Sequence, residues 1–576
     1  VFGLLCFADG WRVLGLTILT VAFSLTTLYI ALVVWPTRIR KGSVLVIRLT
    51  GAIRELGVPP IFQRLAGRVT PSLYELSTVF DFCANDSRVK AVLVELADLN
   101  VGLAAAHELG SALRRLSEHG KRTVALLSGD SIGVQEYLIA AGASEIVANP
   151  NLTLAMLGVA SGSFFLKRAL DRLEVQAQVL QWKEYKGVGE TFTSDRMSPA
   201  LRDSLERLVQ DWKEVLVECV SKWRGINNDQ ARGLLEKGFL SASSARSLGL
   251  IDRIGHFEDL QRELTDDDKK FVVVDTYFRR ARYFSSLRRG ARLALIYGVG
   301  PIVTGEVSAG DFIDGEEMAS ALEHASKDSS IAAIVLRIDS PGGSAVAADT
   351  VWRAIKAARE RNKPVIVSMG NVAASGGYYI ACAADAVVAD PATISGSIGV
   401  VYAKFSLGKF LARLGIDFDL VKTAEISDAL SIVRALSTQE LSQLDSVMGE
   451  LYNNFTQRVA QARGLSYAQA EEVARGRVWS GLAAKACGLV DEIGGLTRAI
   501  ELAREKAGLS PEKPYRHVLY YPSPWRLRLS LGVPLRPLSL PLENSLTPIL
   551  GPYTSWIPAL TKLLSHNTPL LLGLLF

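Results

Sequence analysis

Apolar positions along the chain fall into three patterns. The first is an unbroken run. Val13 to Trp35 holds 23 residues and no charge. As a helix rising about 1.5 Å per residue it reaches roughly 34 Å, enough to cross a hydrocarbon core of about 30 Å. Trp11, Tyr29 and Trp35 stand at or near its ends, where amphipathic rings settle. The run is longer than the apolar core of a cleaved leader and exits through Trp-Pro-Thr-Arg, with no small-residue cleavage site. It predicts a retained N-terminal membrane anchor within residues 1–42. Arg38, Arg40 and Lys41 follow the run and Arg12 precedes it, a bias toward a cytoplasmic C-terminal side. Long domains translocate regardless of such a bias, so the side of the membrane stays open.

The second pattern is the short continuous run rich in β-branched residues, as in "AVLVEL" (91–96), "TVALLS" (123–128), "AIVLRI" (333–338) and "PVIVSM" (364–369). Such runs predict strands buried on both faces. The third is helical spacing, as with Val351, Ile355 and Ala358 within 348–362. Strand and helix patterns alternate, which predicts an α/β fold of crossover units on mainly parallel sheets.

These patterns occur twice. "SVLVIRLTGAIRE" from Ser43 is echoed by "LALIYGVGPIVTG" from Leu293, and "VKAVLVELADLN" from Val89 by "IAAIVLRIDSPGG" from Ile331. "YLIAAGASEIVANP" from Tyr137 is echoed by "YYIACAADAVVADP" from Tyr378, and "FLSASSARSLGLIDRIG" from Phe239 by "VWSGLAAKACGLVDEIG" from Val478. Matched blocks in one order imply a tandem duplication, with a period too long for a solenoid. The predicted domains are a first repeat at 43–280 and a second at 290–510, joined by the Arg-rich stretch 279–292. A Pro- and Leu-rich tail, 511–576, ends in "PLLLGLLF", an apolar stretch too short to span a bilayer.

Composition narrows the function classes. A chain of 576 residues exceeds one ordinary core, and 49% hydrophobic with 21% charged residues excludes disorder. A net charge of +5 without a basic stripe gives no support to nucleic-acid binding. Five scattered cysteines, with no CxxC pair, and six isolated histidines, with no HExxH, indicate neither a disulfide framework nor a metal site. No cofactor is expected.

Two loops carry candidate chemistry. "DSPGG" (339–343) and "GNVAASGG" (370–377) each follow a predicted strand and precede a predicted helix, where parallel sheets place ligands. Taken singly, the first reads as a turn and the second as a helix cap. Together they place Ser375 beside the amides of Gly342, Gly343 and Gly376, an arrangement suited to stabilising an oxyanion. A serine nucleophile needs a base, and no residue within these loops supplies one.

"RIDSPGG", "MGNVAASGGYYIACAAD" and "TISGSIGV" resemble the signal peptide peptidase A family, in its long, tandem-duplicated form. The resemblance spans nearly the whole chain. It implies domains similar to crotonase and the caseinolytic protease subunit, and a serine peptidase that works through a Ser-Lys dyad. It implies Ser375 as nucleophile, Gly342 or Gly343 with Gly376 as oxyanion donors, and Ser397 as the residue orienting the lysine. The lysine is implied in the first repeat after a Tyr, at Lys186 in "QWKEYKGVGETFTSDRMSP". By the residues alone Lys183 is as good a candidate. Trp182 and Tyr185 are expected to wall the lysine, since burial among apolar groups lowers its pKa.

At an offset of 241 residues Val134 stands opposite Ser375, and "ELADLN" replaces "DSPGG". The first repeat therefore lacks the nucleophile, and the second, with "AEISDALS", lacks the lysine. One dyad per chain is expected, drawn from both repeats. The resemblance further implies hydrophobic peptide substrates such as remnant signal peptides, and a homo-oligomeric ring. It places the enzyme in a bacterial inner membrane with the catalytic part on the outer (periplasmic) face. An acyl-CoA enzyme of the crotonase type and an inactive membrane scaffold are the rival readings.

Overall fold

The computed structural model describes residues 39–56, 70–265, 267, 270–287, 290–305, 312–510 and 515–521, together with Thr20 and Ser24. The Val13–Trp35 run and most of the C-terminal tail lie outside these residues. Among the described residues no helix is long and apolar enough to cross a membrane.

The first repeat contributes β1 (Ser43–Ala52), β2 (Val89–Asn100), helix α1 (Leu103–Glu118), β3 (Arg122–Leu127), β4 (Glu145–Ala148), β5 (Gln176–Gln181), α2 (Pro199–Arg224), β6 (Arg253–Ile254) and β7 (Phe271–Val273). Its main sheet runs β7-β1-β2-β3-β4-β6, parallel throughout. The second repeat contributes β8 (Ala291–Val299), β9 (Ile331–Ser340), α3 (Ala345–Glu360), β10 (Val365–Ala374), α4 (Gly376–Ala381), β11 (Ala386–Ala389), β12 (Ile394–Gly396), β13 (Val401–Ser406), α5 (Thr438–Arg463), β14 (Val478–Ser480), β15 (Glu492–Ile493) and β16 (Tyr515–Tyr521). Its sheet runs β14-β12-β10-β9-β8-β16, with β11 joining β10 to β15 and only the β12–β14 pair antiparallel. The strand at Tyr515–Tyr521 pairs with β8, so this sheet takes in residues that the sequence assigns to the tail.

The apolar runs form the strands for the expected reason. Val92, Val94, Ile334, Leu336 and Val367 are all fully buried, with helices covering both faces of each sheet. At about 25 cal/mol per Å² of apolar surface, such burial is the main favourable contribution to folding.

The repeats are held together by charge as well as by apolar contact. Buried Arg337 on β9 donates to Glu55 through Nε and Nη2, at 3.0 and 2.8 Å, and through Nη2 to Glu108 of α1 at 3.0 Å. Trp212 of α2 donates to the Ala392 carbonyl at 2.9 Å, and Ser480 of β14 donates to Asp211 at 2.6 Å. A cross-repeat ribbon completes the join. β5 of the first repeat pairs antiparallel with β13 of the second, Gln181 opposite Val401 and Gln176 opposite Ser406. This ribbon carries the segment after β5, which contains Lys186, onto the second repeat.

Candidate active site

Strand β10 ends at Ala374, and the chain turns sharply at Ser375 into α4. Ser375 has φ 52° and ψ −120°, a conformation that costs a non-glycine residue on the order of 1–3 kcal/mol. It stands at the N-cap of α4, yet its side chain makes no cap bond. Its amide donates to the Gly396 carbonyl at 2.9 Å, which anchors the turn to β12. Ser375 is half-buried at the carboxyl end of β10.

The register between β10 and β12 places Ala374 opposite Gly396. The next residues, Ser375 and Ser397, are therefore neighbours, and both have positive φ, 52° and 49°. Ser397 Oγ and the Ser397 carbonyl each accept a hydrogen bond from Lys186 Nζ at 2.8 Å. Lys186 reaches this position from the first repeat. Its stem lies against two backbone positions of the second, Gly476 and Gly399. A Cβ on Gly476 would lie 2.5 Å from the Cβ of Lys186, and one on Gly399 3.1 Å from its Cδ. The side chain is 4% exposed. Burial is the cause of a pKa lowered from 10.5 to about 7.

The alternative lysine is engaged elsewhere. Lys183 forms an ion pair with Glu471 at 3.0 Å and lies over the Tyr452 ring. The two aromatic residues expected to wall the lysine also have partners of their own. Trp182 packs on Gly449 and Tyr452 and donates to Asp445 at 3.1 Å, while Tyr185 lies under the Arg477 guanidinium, 3.9 Å away. Sequence reasoning missed Gly399, Gly476 and Arg477. Gly476 stands next to Arg475 in a stretch of positive φ, a backbone property with no side-chain signature. Arg477 holds the site from behind, its carbonyl accepting the Ser397 amide at 2.7 Å.

The "DSPGG" loop closes the other side. Gly342 and Gly343 have φ of 107° and 148°, values that favour glycine. A Cβ on Gly342 would lie 2.7 Å from that of Ser375, and one on Gly343 would lie 2.1 Å from the Ile302 carbonyl oxygen. The two amides are not equivalent. Gly342 N donates to Ser340 Oγ at 3.2 Å. Among the described residues no hydrogen bond takes up the amides of Gly343 or Gly376, and a Cβ on Gly376 would lie 3.3 Å from Gly343 N. Two unpaired donors thus sit side by side next to Ser375. The described residues contain no cluster of His, Cys, Asp and Glu able to hold a metal ion.

The model of peptidase family S49 matches this chain twice, over residues 116–271 and 357–510. "Serine protease SPPA, chloroplastic" of Arabidopsis thaliana is 31% identical over 490 residues, covering 83% of this chain and 71% of that protein. "Protease 4" of Salmonella typhi is 32% identical over 453 residues, 76% of this chain and 72% of that one. "Protease 4" of Haemophilus influenzae is 29% identical over 455 residues, 75% and 73% of the two chains.

Proposed function

The chain belongs to peptidase family S49 and is a serine peptidase; from that premise we propose an endopeptidase with a Ser375–Lys186 dyad, anchored in a bacterial inner membrane and cleaving hydrophobic peptides such as remnant signal peptides. The observation that carries the dyad is Lys186, buried with no counter-ion among the described residues and bonded to the neighbour of Ser375. A neutral lysine has two N–H bonds and one lone pair. Ser397 takes both N–H bonds, through its carbonyl and its hydroxyl, and the lone pair is left for the proton of Ser375.

The reaction then follows from the groups present. Lys186 takes the hydroxyl proton as Ser375 Oγ bonds to the scissile carbonyl carbon. The carbonyl oxygen becomes an oxyanion held by the amides of Gly343 and Gly376. Lys186, now an ammonium, returns the proton to the departing amine, and the C–N bond breaks. Water then gives a proton to the same lysine as its oxygen bonds to the acyl carbon; the bond to Ser375 Oγ breaks, Lys186 returns the proton to Oγ, and the acid product leaves. A serine-reactive phosphonate tests the reading directly. It should label Ser375 and stop peptide hydrolysis, whereas an acyl-CoA enzyme or an inert scaffold would remain unlabelled.

The oxyanion assignment makes its own prediction. Gly343→Ala must displace either the loop or Ile302, so one donor is lost. We expect kcat to fall by about a hundredfold or more, with the pH midpoint of activity unchanged. Steady-state kinetics across pH decides it, and a variant within threefold of wild type would remove Gly343 from the oxyanion site.

We also propose that copies of the chain associate head to tail. The duplication leaves two unmatched edges. At the offset of 241 residues, the counterpart of β13 is 160–165 and the counterpart of β5 is 417–422. Neither belongs to a strand, and both are almost wholly exposed. The second carries Phe418, Leu420 and Val421, which are 54%, 43% and 98% exposed, with Ile416 beside them. Repeating the β5–β13 register between chains puts Gly162 of one copy opposite Leu420 of the next. Gly162→Cys with Leu420→Cys in one chain should therefore give a ladder of disulfide-linked multimers on oxidation, seen by non-reducing electrophoresis. A chain that stays monomeric on sedimentation would overturn this arrangement and with it a closed ring.

A further inference from the structure

Helix α1 of the first repeat begins without a cap of its own, since its N-cap residue is Gly102. Its counterpart α3 is capped by its own Ser344, which accepts the Ala347 amide at 3.3 Å. The oxygen that α1 lacks comes from the other repeat, where Asn371 Oδ1 accepts the Ala105 amide at 3.1 Å. A Cβ on Gly102 would lie 2.1 Å from that oxygen. The absence of a side chain at 102 is what admits the foreign cap.

Asn371 lies on β10, four residues before Ser375, in an irregular stretch of the ladder. Between β9 and β10 the register passes from Ile338–Met369 to Ser340–Ala373. Asp339 alone thus faces Gly370, Asn371 and Val372, a bulge that re-aims the end of the strand. The bulge is tied at three points. Asp339 Oδ1 accepts the Val372 amide at 2.9 Å, Thr393 Oγ1 donates to the Gly370 carbonyl at 2.7 Å, and Asn371 Nδ2 donates to Asp339 Oδ2 at 3.4 Å. One amide side chain therefore binds the first repeat with its oxygen and the bulge leading to Ser375 with its nitrogen.

We propose that Asn371 is a positioning residue that aligns Ser375 only when the first repeat, the source of Lys186, is docked on the second. The role rests on the reading of Ser375 as nucleophile. It couples the two halves of the dyad, because the contact that reports docking also braces the strand that presents the hydroxyl.

The test separates positioning from capping. In full-length protein, Asn371→Ala removes both bonds. Gly102→Ser with Asn371→Ala gives α1 a cap of its own, in the space the asparagine vacates, and leaves the bulge without its Asn371–Asp339 tie, the other two ties remaining. Turnover is measured per phosphonate-titratable site, with the thermal midpoint alongside. We expect Asn371→Ala to lower kcat about a hundredfold, the scale of a misplaced reacting group. KM and the pH midpoint should hold, since neither the substrate cleft nor Lys186 is altered. The double variant should regain thermal stability and remain slow. Should the single variant not fold, the double variant carries the comparison with wild type. Turnover within about threefold of wild type in either folded variant would overturn the role. Ser375→Ala, with turnover taken per mole of folded protein, keeps the two ideas apart. If it is active, the reading beneath the role fails; if it is inert while Asn371→Ala is fully active, the role alone fails.

Discussion

Ser375→Ala is expected to leave a folded protein that hydrolyses peptide about a million-fold more slowly than wild type, with only oxyanion and binding contributions remaining. The hydroxyl makes no cap bond to α4, so its loss removes no hydrogen bond from the fold. Alanine at a φ of 52° carries the same strain as serine. The thermal midpoint should therefore stay close to that of wild type, and kcat should collapse. Both are measured on the same preparation, together with loss of phosphonate labelling. A variant that kept a tenth of wild-type turnover would exclude Ser375 as nucleophile.

Lys186→Ala is expected to be as damaging as Ser375→Ala, and the double variant no worse than either, because the two groups act as one unit. In the wild-type enzyme the competent lysine is neutral. Activity should therefore rise with pH through a midpoint near the lowered value of about 7 and be lost as the amine protonates below it. Lys183→Ala should stay near wild type, because Lys183 is committed to Glu471. A pH–rate profile for the wild-type enzyme and turnover for the three variants check all of this. An inert Lys183→Ala beside an active Lys186→Ala would move the base to the other lysine. Lys186 and Ser397 meet across the repeats of a single copy, so the proposed dyad is expected to form within one chain. Co-expressing Ser375→Ala with Lys186→Ala should accordingly restore no activity.

Much of this was legible beforehand. The apolar runs and helical spacings identified the parallel α/β sheets, and the paired blocks identified the duplication. "DSPGG" and "GNVAASGG" do lie at strand-to-helix junctions, but each begins inside its strand: Asp339 and Ser340 end the strand at 331–340, residues 370–374 end the one at 365–374, and Gly376 already opens a helix. The resemblance to the signal peptide peptidase A family agrees with the double match to peptidase family S49. What stayed hidden was anything set by backbone conformation or by the meeting of distant segments. The division of labour between Gly342 and Gly343 depends on Ser340 accepting one amide, and that depends on how a four-residue loop turns. Asn371 as a cap for α1 joins positions 266 residues apart, and local spacing carries no trace of it.

The sequence by itself determined what is local or periodic: which runs are strands, which are helices, that the unit occurs twice, and which small residues flank Ser375. Only the tertiary structure decided which lysine is buried. Lys183 and Lys186 are three residues apart with the same chemistry, and apart from the family resemblance, which points to Lys186, nothing in their local sequence separates them. The β5–β13 ribbon carries this segment onto the second repeat, where Gly476 and Gly399 leave room for one stem and Ser397 meets its amine. The other lysine is left half-exposed beside Glu471. A lysine pKa depends on the water removed around the amine, and that is a property of packed neighbours from both repeats.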